Sequence, residues 1–150
     1  MKTIILDSGP VGMIVNPNAK SEVTLACQSW FNQMANNGYS IVLPEIIDYE
    51  VRRELILTNK SRSLQQLNIL KRELYYLPLT TESILLAAQL WAAVRQSGQP
   101  TADPKALDGD VILAAQVLTR FPPFDNPIVA TTNVAHLERF TSAKLWETVN

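Results

Sequence analysis

Histidine and cysteine are almost missing from this 150-residue chain, which has one of each, His136 and Cys27. A single cysteine excludes an intramolecular disulfide framework. With only one histidine beside it, a zinc site of the usual Cys/His kind is excluded as well. Any metal here would be a hard cation held by carboxylate oxygens. Cys27 lies among Leu25, Ala26 and Trp30 and reads as a packing residue. Excess charge of one sign is also absent. The formal net charge of −1 carries no global basic signature of nucleic-acid binding, so such a partner would need a local patch. No apolar run approaches a membrane span, and the few apolar residues after Lys2 are too short for a secretory leader. The expectation is a cytoplasmic protein with no membrane partner. No Gly-rich phosphate loop, Gly-x-Ser-x-Gly or His-Glu-x-x-His is present. Nucleotide-switch, serine-hydrolase and zincin chemistry therefore lack their residues.

What is present is a globular composition, 47% hydrophobic and 18% charged, long enough for one domain over residues 1–150 with a proper core. Thr3 to Leu6 reads as a strand buried on both faces, stopped by Asp7 and turned by Ser8-Gly9-Pro10. Val11 to Val15 follows as a short apolar helix. Ser21 starts a longer one that closes at Asn36-Asn37-Gly38. Tyr39 to Leu43 is a second buried strand. Pro44 and Glu45 suit the start of the helix after it. Asn59-Lys60 punctuates, and Ser61 to Glu73 forms a more polar helix that pairs with its predecessor and projects from the sheet. Tyr75 to Leu79 is a short strand, and Ser83 to Gln96 a helix. Gln99 to Leu107 reads as a surface loop. Asp108-Gly109-Asp110 opens a helix from Val111 to Thr119 or Arg120, and Phe121 to Pro127 makes a rigid connection. Ile128 to Ala130 is a buried strand, Val134 to Arg139 a short helix, and Lys144 to Trp146 a last short strand. This alternation predicts an α/β fold: an open, mostly parallel sheet with helices on both faces.

In such sheets chemistry gathers beyond the carboxyl ends of the strands. Asp7 and Asn133 directly follow strands, Asp108 and Asp110 begin a helix, and Glu50 lies about two turns into a helix that follows a strand. Asp7, Glu50, Asp110 and Asn133 therefore form the candidate cluster, with Asp108 beside it. Three acids in one cleft repel unless a cation compensates. Mg²⁺ or Mn²⁺ fits, because such an ion takes carboxylate and amide oxygens and bridges to phosphate. Held there, it can activate water against a phosphodiester and stabilise the leaving oxygen. Each position also has a plainer reading. Asp7, Asp108 and Asn133 suit helix caps, Asp110 suits a helix first turn, and Glu50 suits a solvated face paired with Arg53. Glu45, Asp48 and Glu54 read as surface or capping residues, and His136 as facing solvent. A phosphatase with Asp7 as nucleophile would carry a second Asp two residues on, where Gly9 stands. A receiver domain would need a lysine after a late strand, and Thr131-Thr132-Asn133 offers none.

Four segments in order resemble the PIN-domain family, in particular the VapC-like toxin ribonucleases. They are Ile-Ile-Leu-Asp7-Ser-Gly-Pro, Leu-Pro-Glu-Ile-Ile-Asp-Tyr-Glu50-Val-Arg-Arg-Glu-Leu, Leu-Asp-Gly-Asp110-Val-Ile-Leu-Ala-Ala-Gln and Ile-Val-Ala-Thr-Thr-Asn133-Val-Ala-His-Leu-Glu-Arg-Phe. The resemblance spans nearly the whole chain. It implies a three-layer α/β/α sandwich and a divalent-metal-dependent endoribonuclease with Asp7, Glu50 and Asp110 as catalytic ligands. The fourth ligand position, often Asp, holds Asn133, which contributes no charge. A non-catalytic PIN-like module that binds RNA or protein is the alternative. The resemblance also implies a homodimer and a small antitoxin whose peptide blocks the cleft. Ser8 and Arg53 are expected at the substrate. Arg52, Arg53, Lys60, Arg62, Lys71 and Arg72, on the two projecting helices, offer an RNA backbone a basic surface.

Overall fold

Ile4, Ile5 and Leu6 are at most 1% exposed, because the strand they form is covered on both faces and on both edges. The computed structural model describes residues 2–98, 104–122 and 125–150. The first strand, β1 (Thr3–Leu6), is the middle of a five-stranded sheet. Its neighbours are β2 (Ser40–Pro44) and β4 (Ile128–Thr131), and the edges are β3 (Tyr75–Leu77) and β5 (Ala143–Leu145). The order is β3-β2-β1-β4-β5, and every pairing is parallel. Parallel strands need crossovers, which explains the uninterrupted Val/Ile/Leu runs. With this strand order, the right-handed rule for parallel crossovers puts α1 (Ser8–Ile14), α2 (Glu22–Asn36), α3 (Glu45–Leu57) and α4 (Ser61–Glu73) on one face. The same rule puts α5 (Thr81–Gln96), α6 (Pro104–Arg120) and α7 (Val134–Leu137) on the other, completing the expected α/β/α layering.

Local sequence sets most helix ends. Ser21 caps α2 through the Thr24 N–H, and Pro44 occupies the cap position of α3. Thr80 and Ser83 form a reciprocal capping box on α5, so that helix starts at Thr81, two residues before its expected start. Asn59 takes a left-handed φ of 56° between α3 and α4. The α1 helix starts at Ser8, directly on Asp7, without the expected turn before Val11. The larger correction concerns α6. Residues 99–103 of the expected loop lie outside the described residues, but 104–107 are helix. Pro104 suits a first helical position, and buried Leu107 completes a stripe with Val111 and Ala115. Asp108 and Asp110 therefore lie inside α6, so neither the cap reading of Asp108 nor the first-turn reading of Asp110 holds.

The main core joins the strands to α1–α4 and to Leu113 and Val117 of α6, while a smaller cluster packs α5 on α6. Cys27 packs in the main core as expected, and burial pushes its thiol up to about 12. Trp30 donates to the Val149 carbonyl at 2.8 Å and tilts against Trp146. Among the described residues no helix is long and apolar enough to cross a membrane.

Gln116 is the polar bolt of this interior, at 1% exposure. Its Nε2 donates to the Leu77 carbonyl at 2.8 Å, and its Oε1 accepts from the Ile46 N–H at 3.3 Å. Gln116→Ala would leave both backbone groups buried and unpaired, a loss of about 2 kcal/mol and of roughly 5 °C in unfolding midpoint. Thermal melts measure it, and an unchanged midpoint would show that the bolt carries no load.

Candidate functional site

Asp7 leaves β1 where the strand order switches between β1 and β4. Its N–H continues the ladder to the Ala130 carbonyl at 3.1 Å. Its Oδ1 accepts from the Ser8 N–H at 2.8 Å, and its Oδ2 accepts from the Thr131 hydroxyl at 2.7 Å. Asp7 is thus the cap of α1 and a half-buried member of the cluster at once. Burial raises its pKa, against the pull of Thr131, Ser8 and His136 in that order. Sequence reasoning missed Thr131. The available signal was register: Leu6 pairs with Ala130, so the next residues, Asp7 and Thr131, emerge side by side. Thr131 also accepts from the Asn133 N–H at 2.9 Å and is fully buried.

Glu50 comes from the second turn of α3 and Asp110 from the second turn of α6. They meet where α6 carries Gly109. A β-carbon on Gly109 would lie 3.0 Å and 3.1 Å from the two Glu50 carboxylate oxygens. Glycine inside a helix costs about 1 kcal/mol against alanine, and here the missing methyl is what admits the carboxylate. Burial raises Glu50, the Asp7 charge adds to this, and Arg53 opposes it. Asp110 is pushed up to about 7, first by burial, then by Asp7 and Glu50, with Arg139 opposing. The three acids therefore share one electrostatic neighbourhood. Among the described residues, no three Asp, Glu, His or Cys side chains form a finished cation cage. The donor chemistry, all carboxylate oxygen, is that of a hard cation.

Gly9 packs against the turn that leaves β4. A β-carbon there would stand 2.7 Å from the Thr132 hydroxyl oxygen, so the glycine admits the β4–α7 turn. Asn133 sits at the cap position of α7 but makes no side-chain cap bond, and it is exposed. Its Nδ2 faces His136 Nδ1 at 3.3 Å. The same Nδ1 lies 3.5 Å from Asp110 Oδ2. His136 therefore faces the cluster, contrary to the solvent-facing expectation. As an acceptor its Nδ1 serves Asn133, and as a donor it serves Asp110, so one atom chooses between them. Arg139 adds a cation to this rim. It stacks on Phe140 at 4.9 Å, and its buried Nε has no partner among the described residues.

The other candidates separate cleanly. Asp108 and Glu54 are exposed. Glu45 is a clasp, accepting from the Leu79 N–H at 2.8 Å and from the Tyr76 hydroxyl at 3.2 Å. Asp48, expected at the surface, is buried and held by Arg52 through contacts of 2.9 Å and 3.2 Å. Arg53 is exposed over the Tyr49 ring at 5.0 Å, next to Glu50. Ser8 uses its N–H on Asp7.

No family model matches the chain, and no curated protein sequence matches it. Solved structures do. One is the crystal structure of VapBC2 from Rickettsia felis bound to a DNA fragment from their promoter, with TM-score 0.70 at 14% identity over 96% of this chain and 98% of that one. VapBC-1 from nontypeable Haemophilus influenzae gives TM-score 0.69 at 14% identity over 97% and 99%. DNA-bound VapBC from Salmonella typhimurium gives 0.66 at 18% over 97% and 99%. This chain shares their fold over 96–97% of its length: an all-parallel α/β sandwich.

An acid held above its unfolded value binds its proton more tightly in the native state. Its contribution to stability is complete below the unfolded value and is lost as pH rises through the folded one. With Asp110 raised from 3.8 to about 7, and Asp7 and Glu50 raised too, the metal-free chain is expected to lose thermal stability across that window. Melts in EDTA at stepped pH measure this. Asp110→Asn should flatten the profile, and identical profiles for wild type and variant would refute the coupling.

Proposed function

We propose that the chain is a divalent-metal-dependent endoribonuclease and the toxin of a type II toxin–antitoxin pair. The observation that carries this reading is the convergence of Asp7, Glu50 and Asp110 from three separate elements, with Asp110 raised to about 7 by burial and by the other two. Such a group of acids suits a compensating Mg²⁺ or Mn²⁺. Asp7, Glu50 and Asp110 would hold the ion, with Asn133 as a neutral fourth donor. When bound, it supplies Lewis acidity toward a phosphodiester and makes water a better nucleophile.

The chain's own residues prepare this chemistry. Thr131 and the Ser8 N–H fix the Asp7 carboxylate, so both its oxygens keep their direction. Asp110, raised to about 7 without an ion, would give up its proton near neutrality as a cation takes its carboxylate. Arg53, exposed beside Glu50, offers its charge to a backbone phosphate, and the Ser8 hydroxyl stands next to Asp7 for the same role. The VapBC assemblies among the structural neighbours support an antitoxin partner. A homodimer and a cytoplasmic location complete the proposal. A non-catalytic PIN-like module remains the second reading, favoured by one observation: Asn133 turns its amide nitrogen to His136 and brings no charge to the cluster.

Purified wild type is expected to cleave single-stranded RNA with Mg²⁺ or Mn²⁺, with Asp7→Asn and Asp110→Asn reduced at least a hundredfold, as befits loss of a group engaged in proton transfer or its equivalent, worth about 10²–10⁴-fold. No cleavage by wild type, or equal cleavage by the variants, would sink the mechanism. Gly109→Ala separates stability from site geometry. The added methyl meets Glu50, so cleavage should fall while the unfolding midpoint holds or rises. Full activity in that variant would show that Glu50 need not lie against α6.

A further inference from the structure

The expected basic surface on α3 and α4 is largely committed to local contacts. Arg52 holds Asp48 and donates to Asn68 at 2.8 Å. Lys71 lies over the Tyr76 ring at 4.7 Å, and Arg53 over Tyr49. Lys60 and Arg62 are different. They flank a cavity of about 550 Å³ between the α1–α2 turn and the start of α4, together with Lys20, a residue the sequence reading passed over.

Three features of this cavity point to an anion. Its lining holds three cationic side chains and no carboxylate. It contains the start of the 13-residue helix α4, which has no side-chain cap and no acid in its first turn. The first backbone bond there is Leu64 N–H to the Lys60 carbonyl, so the N–H groups of Ser61, Arg62 and Ser63 have no acceptor among the described residues. Finally, Ser63 lines the cavity at 6% exposure, and its hydroxyl has no hydrogen-bond partner among the described residues. An unpartnered hydroxyl on a largely buried residue, reachable from the cavity, and a set of amides left unpaired toward three cations are what a phosphate satisfies. Arg62 is already braced across the mouth, donating to Asn18 at 3.3 Å.

The location says which phosphate. The cavity wall includes Gly12 of α1 and Leu55 of α3. Asp7 precedes Gly12 by five residues and Glu50 precedes Leu55 by five. At ~1.5 Å per residue the near wall of the cavity, at Gly12 and Leu55, lies about 7–8 Å farther along the two helices that bring acids to the cluster. An acidic cleft repels a polyanion, and a positive pocket next to it holds the same strand in place. We propose that this cavity seats a backbone phosphate of single-stranded RNA adjacent to the one at the acids, with Lys20, Lys60, Arg62, the Ser63 hydroxyl and the first-turn amides of α4 as its contacts. The proposal rests on the ribonuclease reading for the choice of RNA.

The test is binding of a fluorescein-labelled single-stranded oligoribonucleotide to the full chain in EDTA, over a series of salt concentrations. Each phosphate contact on a single strand contributes about 0.7 to the slope of log affinity against log salt, so Lys60→Ala/Arg62→Ala should lower the slope by about 1.4. Its affinity at low salt should fall at least tenfold. Ser61→Glu guards against misfolding. It puts a carboxylate at an exposed helix start, where the dipole favours it, so RNA affinity should fall while the unfolding midpoint holds or rises. Wild-type affinity and slope in both variants would overturn the proposal, as would a wild type that binds no RNA. So would inorganic phosphate shifting the Ser61–Ser63 amide resonances while neither variant changes RNA affinity, since the cavity would then be a small-anion site only. Loss of RNA binding in the variants of a wild type that never cleaves keeps the phosphate seat and removes the ribonuclease reading. Cleavage with undiminished binding in the variants does the reverse.

Discussion

The structure turns on a half-buried carboxylate that must not be left alone. Asp7 sits where the sheet reverses its strand order, and an unpaired charge there would cost several kcal/mol. The hydroxyl of Thr131 and the first amide of α1 meet this need. Both follow from register: β1 beside β4 delivers Thr131, and a helix starting without a linker delivers Ser8. Once Asp7 is fixed, each further acid brought to the same edge is pushed toward its protonated form. The fold thereby stores electrostatic repulsion.

The strands and most helices were legible because burial imposes its own pattern. Continuous aliphatic runs gave β1, β2 and β4, and polar punctuation at Ser21, Asn59-Lys60 and Thr80 gave helix ends. The four segments that suggested a PIN-like chain fall where the fold places them, and Asp7, Glu50 and Asp110 do share one neighbourhood. What was hidden lay between elements. Asp108-Gly109-Asp110 looks like a helix start because Gly and Asp usually punctuate. Only the packing of Leu107 with Val111 reveals that α6 is already under way. Gly109 is in that helix for space, and sequence alone cannot say which side chain fills the space.

Histidine and arginine gave the same lesson on the rim. A short helix presents few residues inward, and whether His136 turns in or out depends on how α7 meets α6. The structure turns it to Asp110, and brings Arg139 within electrostatic reach of the same carboxylate. Asp48 erred the other way. Two acids one turn apart look alike on paper, yet Asp48 is buried on Arg52 while Glu45 clasps the β3–α5 connection. Charge on a helix is only a list of possibilities until its neighbours are known.

The strand order has a consequence in time. The central strand is made first, yet one of its two neighbours, β4, is nearly the last element to be synthesised, with Ile4 pairing Ile128. A nascent chain can lay β2 against β1 early, but the other edge of β1 stays open until more than eighty further residues have emerged, from Pro44 to Ile128. Pairing over such a separation is slow, and an exposed apolar edge invites association meanwhile. Thr131 and Asn133 arrive with that closing strand. A chain cut short before β4 therefore carries Asp7, Glu50 and Asp110 in its sequence but cannot assemble their edge, so the ribosome completes the site only as it completes the fold.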